Sequence, residues 1–156
     1  MKISGTIITL NAEKYILRAV KSLKLISDEV IVLDSDSTDS TRKIAESAGA
    51  KVYIQSFLGD GPQKKEASKY ASNDWVFSLD ADEYLDKDLI DYVNNIKHFD
   101  NKYDSFAFRR KNFCGDEWIK AAAFILIMSL DYMIRQKLTM IRELTMQLFK
   151  VKKRLE

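Results

Sequence analysis

Short apolar runs alternate with amphipathic segments through the first hundred residues of the chain. Ile3 to Leu10, "ISGTIITL", is rich in β-branched residues and predicts a strand. Ala12 to Leu25 then sets Ile16, Ala19, Val20 and Leu23 on one helical face. Glu29 to Asp34, "EVIVLD", is almost wholly apolar, as suits a parallel strand covered on both faces. In the following "STDSTRKIAESAG", Ser37 or Thr38 is a candidate helix cap and Gly49 a helix end. "AKVYIQ" predicts a third strand, and "GPQKKEASKYAS" a helix with Pro62 just inside its start. "DWVFSLD" predicts a fourth strand and "DKDLIDYVNNI" a helix capped by Asp86. "YDSFAFRR", from Tyr103 to Arg110, alternates and predicts a fifth strand.

This order, β-α-β-α-β-α-β-α-β with short connections, predicts an α/β fold: a mostly parallel, Rossmann-like sheet flanked by helices, with right-handed crossovers. No Pro/Gly/Ser-rich break divides it. The pattern changes near residue 120. From Ala121 on there is no glycine or proline, and Ile134, Leu138, Ile141, Leu144 and Leu148 recur at helical spacing. The expected organisation is one α/β unit over 1–120 and a helical tail over 121–156.

Composition narrows the function classes. The 25 basic and 23 acidic residues nearly cancel, so nucleic acid is not an expected partner. Cys114 is the only cysteine and His98 the only histidine, which argues against an internal disulfide and a zinc site. Reducing cytoplasm is the expected compartment. The apolar run from Ala121 to Met128 falls short of the ~20 residues a membrane span needs. The opening "MKISGTIITLNAEK" does not read as a signal peptide.

Candidate chemistry gathers at the carboxyl ends of the predicted strands, where open α/β sheets bind ligands. The first strand ends in Thr9, Leu10 and Asn11, the second in Asp34, the fourth in Asp80 and Asp82. Strand alternation would turn Asp80 and Asp82 to one side. Paired carboxylates suit Mg²⁺ or Mn²⁺, which take one or two carboxylates plus substrate phosphates. Taken singly, each has a plainer reading. A D-x-D triplet can be a solvated loop, Asp34 a turn residue, Lys64 and Lys65 a solvated helix face. Their joint arrangement at strand ends points to a site.

Four ordered blocks, "TIITLNAEKYI", "DEVIVLDSDSTDST", "AKVYIQSFLGDGPQKKEA" and "NDWVFSLDADEYL", resemble those of the family 2 glycosyltransferases. The group that builds the lipopolysaccharide or lipooligosaccharide core is the nearest in kind. The resemblance covers roughly residues 1–120 and implies the GT-A fold, a nucleotide-sugar donor with a uridine-type nucleotide, and a divalent metal at the D-x-D motif. It implies that Thr9 and Asn11 line the nucleotide site and that Asp34 holds the base or ribose. It places Gln63 and Lys64 beside the nucleotide or its diphosphate, Asp80 on ribose or metal, and Asp82 on the metal; Glu83 would support the site. It also implies a lipid-linked or lipopolysaccharide glycan acceptor, inversion at the anomeric carbon, and a carboxylate base. Asp116 and Glu117 are weak candidates for that base, beside a surface-charge reading of both. Asp36 stands where the family often has glycine, and a left-handed turn there is expected to survive because Asp tolerates it. Ala12 stands where the family often has Glu.

Past Lys120 the chain leaves the family pattern. One base out of frame, codons 123–137 can spell FYPDYVLRLYDKTK, close to the family's next segment. The Leu at the Asp131–Tyr132 junction and the Asp after Met133 are forced by the genetic code. A frameshift between about Trp118 and Ala123 is therefore expected, with a truncated catalytic half. The alternative is a basic amphipathic helix that docks on the sheet or touches the inner membrane peripherally. Two functional readings stay open: a transferase, or a chain that binds nucleotide and metal without transfer. A nucleotidyltransferase would need a Gly- and Arg-rich phosphate loop where "TLNAEKYILRAV" stands.

Overall fold

The computed structural model of the chain describes residues 1–97, 105–114 and 117–130. Its elements are β1 (Ile3–Thr9), α1 (Ile16–Leu23), β2 (Glu29–Asp34), α2 (Thr41–Ser47), β3 (Lys51–Ile54), α3 (Asp60–Ser68), β4 (Trp75–Asp80), α4 (Lys87–Ile96), β5 (Ser105–Cys114) and β6 (Glu117–Leu130). The strands form one sheet in the order β3-β2-β1-β4-β6-β5. The first four in that order run parallel, and β6 is antiparallel to both β4 and β5.

The core lies on one face of β1 and its neighbours. Ile16, Ala19, Val20 and Leu23 of α1 are fully buried, as their spacing predicts, against Ile3, Ile7, Val30, Val32, Phe77 and Leu79. Gly5 permits this contact: a Cβ there would sit 2.4 Å from Leu23 Cγ. Ile31 and Leu33 alternate with Val30 and Val32 and so face the other way. On that side α3 packs against β1 and β2 with Gln63, Ala67 and Ser68 buried. The helix side of this second interface is poor in large apolar groups, and Thr6 Oγ1 and Ser78 Oγ are buried there without a hydrogen bond.

Local punctuation follows the sequence in most places. Asp86 caps α4 by accepting from Leu89 N at 3.0 Å. Gly49, at φ +86°, ends α2 in the left-handed conformation glycine favours. Asp36 adopts the expected left-handed backbone, φ +63°. The expected cap at Ser37 or Thr38 is corrected. Helix α2 begins at Thr41 with Ser40 at its N-cap, and Asp39 Oδ1 accepts from Thr41 N at 2.9 Å. Ser37 is drawn away because its hydroxyl accepts from Asn11 N at 2.8 Å.

The expected helical tail from 121 is corrected in its first part, since residues 121–130 continue β6. Strand β4 would otherwise present unpaired backbone groups, and an apolar run beside such an edge pairs with it. Trp75, Val76 and Phe77 pair with Leu130, Ser129 and Met128. The helical spacing from Ile134 onward, His98 and Asp116 lie outside the described residues.

Candidate functional site

Parallel register brings the predicted residues to one edge. Thr9 stands opposite Asp34 across β1 and β2, and Asp80 stands opposite Ile8 across β1 and β4. Adjacent strands lie about 4.8 Å apart. The carboxyl ends of three neighbouring strands thus bring Thr9, Asp34 and Asp80 to one edge of the sheet, Thr9 and Asp34 on the α1 face and Asp80, level with Ile8, on the α3 face, with Asn11 and Asp82 in the loops just beyond.

Asp34 is fully buried. Its Oδ2 accepts from Ser37 N at 2.7 Å, an Asx-type turn, and Arg42 Nε lies 3.9 Å away. Its Oδ1 is buried without a hydrogen bond, and so is Thr9 Oγ1. An unsatisfied buried oxygen costs about 1–3 kcal/mol, so both atoms are places where a ligand hydroxyl or amide would be welcome.

Asn11 has φ +48°, a left-handed conformation that Asn tolerates. Its exposed side chain accepts from Thr38 N at 2.8 Å, and Ala12 N donates to Thr41 Oγ1 at 2.8 Å. The loop after β1 is therefore laced to the loop after β2. Sequence reasoning missed Ser37, Thr38, Thr41 and Arg42 as the fasteners. The signal available was the Asp-x-x-Ser spacing from Asp34 to Ser37.

Gln63 is wholly buried at the start of α3. Its Nε2 donates to Ser35 Oγ at 3.0 Å and to Gln55 O at 3.1 Å, and its Oε1 accepts from Leu58 N at 3.1 Å. It joins the loops after β2 and β3 to α3 and is fully engaged in doing so. Its neighbour Lys64 reaches the other way, with Nζ 2.7 Å from Asp80 Oδ1. That pair is about one-third exposed on both sides.

Asp82 is exposed and sits in the turn after β4. The expectation that strand alternation aligns it with Asp80 is corrected: β4 ends at Asp80, and Glu83 N donates back to Asp80 O at 3.0 Å. Glu83 Oε2 in turn accepts from Asp80 N at 3.0 Å. Helix α1 supports the same turn. Arg18 lies 3.2 Å over the Tyr84 ring, and Leu85 N donates to Ser22 Oγ at 3.2 Å.

These residues fit a divalent cation bound together with phosphates. Asp80 and Asp82 are hard oxygen donors, and among the described residues no group of three His, Cys, Asp or Glu side chains is placed to hold a metal. Mg²⁺-like ions need one or two carboxylates and complete their shell with phosphate and water. Glu117 opens β6, its backbone paired with Cys114. Continuing the β4–β6 register would bring residue 125 level with Asp80. Glu117 lies eight residues beyond that level (125 − 117), roughly 26 Å along the strand.

Among the described residues no helix is long and apolar enough to cross a membrane.

Comparison with known proteins gives the same family as the motifs. The model of glycosyl transferase family 2 matches residues 4–153, a span that runs through the segment past Lys120. A glycosyltransferase of Rickettsia conorii is 49% identical over 104 residues, which are 65% of this chain and 37% of that protein. The lipopolysaccharide core biosynthesis glycosyltransferase LpsC of Rhizobium meliloti is 36% identical over 94 residues, 57% of this chain and 34% of that protein. Among solved structures, glucosyl-3-phosphoglycerate synthase from Mycobacterium tuberculosis aligns at a TM-score of 0.48 and 28% identity, over 53% of this chain and 35% of that one. The chain spans little more than a third of the length of the curated relatives it matches. The parallel sheet flanked by helices agrees with the GT-A expectation, and with the family match across nearly its whole length the chain belongs to glycosyl transferase family 2.

Proposed function

We propose that the carboxyl edge of the sheet binds a nucleoside-diphosphate sugar, uridine-linked, and that the reaction moves its sugar to a lipopolysaccharide-core or similar cell-envelope glycan. One observation carries the donor half of this reading. Buried Asp34 and Thr9, each with an unpartnered oxygen, stand in register beside a strand that ends in the Lys64–Asp80 pair. The first pair suits the hydroxyls and amides of a nucleoside, the second the charge of a diphosphate.

In this reading Thr9, Asn11 and Asp34 hold the nucleoside, and Lys64 meets the diphosphate. Asp80 and Asp82 would hold Mg²⁺ or Mn²⁺. Gln63 positions the loops without touching the ligand. A bound dication would supply neutralisation of the charge that builds on the leaving diphosphate. The acceptor hydroxyl displaces the diphosphate with inversion and gives its proton to a carboxylate. Of the sequence candidates for that base, Glu117 stands about 26 Å along β6 from the level of Asp80, out of reach of the diphosphate site, and Asp116 is its neighbour in the chain. The acceptor class rests on the similarity to LpsC. A lipid-linked acceptor would bring the protein to the cytoplasmic face of the inner membrane as a peripheral visitor. Residues 1–120 form the donor half in this account.

The alternative reading is that the chain binds nucleotide and metal without transferring sugar. Calorimetry with UDP and Mn²⁺ tests what the two readings share: metal-dependent UDP binding is expected, lost in Asp82→Ala. UDP binding indifferent to Asp82→Ala and Asp34→Ala would refute it. Transfer from a labelled UDP-sugar to lipopolysaccharide core then separates the two.

A further inference from the structure

We propose that Lys64 is an exchangeable counter-ion, which occupies Asp80 when the site is empty and moves to the diphosphate when a dication takes its place. This rests on the donor-site reading above and adds to it an account of how metal and nucleotide binding are coupled.

The geometry sets up a competition. Lys64 Nζ lies 2.7 Å from Asp80 Oδ1, at the distance of a direct charge-assisted contact. A dication bound to the same carboxylate would face an ammonium a few ångströms away, and like charges at that range repel. One of the two must leave. Asp80 is the last residue of β4 and is held by its strand pairing and by both backbone bonds to Glu83. Helix α3 is held by Gln63, whose amide is fully engaged with Ser35, Gln55 and Leu58. The side chain of Lys64, four rotatable bonds on a fixed helix and about one-third exposed, is the part free to swing.

Two consequences follow with opposite signs. A cation alone must displace Lys64 and gains nothing to compensate it, so bare metal binds weakly. A cation arriving with a diphosphate provides the displaced ammonium with a new anionic partner, so metal and nucleotide each strengthen the other's binding by the same factor. The site thereby selects the metal–nucleotide pair over free metal.

The test is calorimetry of the full chain with MnCl₂ alone, UDP alone, and UDP in saturating MnCl₂. In Lys64→Gln, Mn²⁺ alone is expected to bind about three- to fivefold tighter, the scale of a partly exposed ion pair. UDP in the presence of Mn²⁺ is expected to bind about tenfold more weakly. Lys64→Arg keeps the charge and should leave Mn²⁺ affinity near wild type. Lys64→Met repeats the neutralisation with the chain volume preserved, should Lys64→Gln fold poorly. If neither neutral variant binds bare Mn²⁺ more tightly than wild type, the exchange is refuted. Asp82→Asn tells the two failures apart. Loss of Mn²⁺ binding there, with no tightening at Lys64, overturns the exchange alone; unchanged Mn²⁺ and UDP binding there overturns the donor site and the exchange with it.

Discussion

Glu29 gives a sharp test of how the sheet is held together at its other end. It opens β2, and its side chain is only 10% exposed. Its Oε1 accepts from Ser4 Oγ at 2.7 Å, Ser72 N at 2.7 Å and Ser72 Oγ at 2.6 Å, and its Oε2 meets Lys51 Nζ at 2.8 Å. One carboxylate thus joins β1, β2, β3 and the segment before β4. Burial opposes its ionisation, but the hydrogen bonds from Lys51, Ser4 and Ser72 outweigh burial and lower its pKa from 4.5 to about 2. A depression of that size is worth about 3 kcal/mol. Because the folded value lies below the unfolded one, this stability is present in full above about pH 4.5 and is lost as pH falls toward 2. Glu29→Gln removes the charge, keeps an acceptor for Ser72, and turns an amide toward Lys51. Urea denaturation should find the variant about 3 kcal/mol less stable at pH 7 and only about 1.4 kcal/mol less stable at pH 3. The other carboxylates titrate in both proteins and cancel. A gap that stays constant or widens between pH 7 and pH 3 would show that the network does not act through the ionised carboxylate.

Two further changes probe the frame around the site. Gly5→Ala should lower stability by about 1–3 kcal/mol, because the new methyl would meet Leu23 Cγ and Cδ2 at 2.4 and 2.5 Å and push α1 off β1; thermal denaturation reads it, and an unchanged Tm would contradict the close packing. Asp86→Ala should cost about 1 kcal/mol through the lost cap on Leu89 N. Asp86→Asn should cost less, since Asn still caps while giving up the pair with Lys111 at 2.8 Å. That pair, and then the bond from Leu89 N, holds the Asp86 carboxyl below its usual range. The cap should therefore weaken as pH falls below the ordinary Asp value, so the stability gap between wild type and the two variants should be smaller at pH 3 than at pH 7 in urea denaturation.

What the sequence made legible was whatever one periodicity decides. "EVIVLD" has no polar position between its first and last residues, so a strand covered on both faces suits it, and β2 is buried from Val30 to Asp34. Ile16, Ala19, Val20 and Leu23 lie three and four apart, and α1 buries those four. Asp86 precedes an amphipathic run, and its Oδ1 caps Leu89 N while Lys111 takes only Oδ2. The failures occur where a distant partner decides. Ser37 reads as a helix cap until Asn11, 26 residues away, claims its hydroxyl. Asp82 reads as a strand position until Glu83 closes a turn on Asp80. "AAAFILIMSL" lacks a turn signal and suits a helix or a strand by itself; the edge of β4 settles its first pairing. For the candidate site, residue identities were legible because strand ends could be found. The network that fixes Asn11 and Gln63 was not, because the bonds between Asn11 and both Ser37 and Thr38, and between Gln63 and Ser35, join segments that only the sheet brings together.

The outer strand β3 has a bearing on how copies of the protein meet. It is four residues long, and its first residue, Lys51, keeps a charged stem at the border through its tie to Glu29. Tyr53 lies against Tyr70 with ring centroids 3.9 Å apart, which covers part of the same border. A strand so short, with a lysine at one end, is a poor template for a neighbour's strand. On this side the sheet should resist growing from molecule to molecule, and concentrated solutions should stay clear where a longer apolar border would seed fibrils.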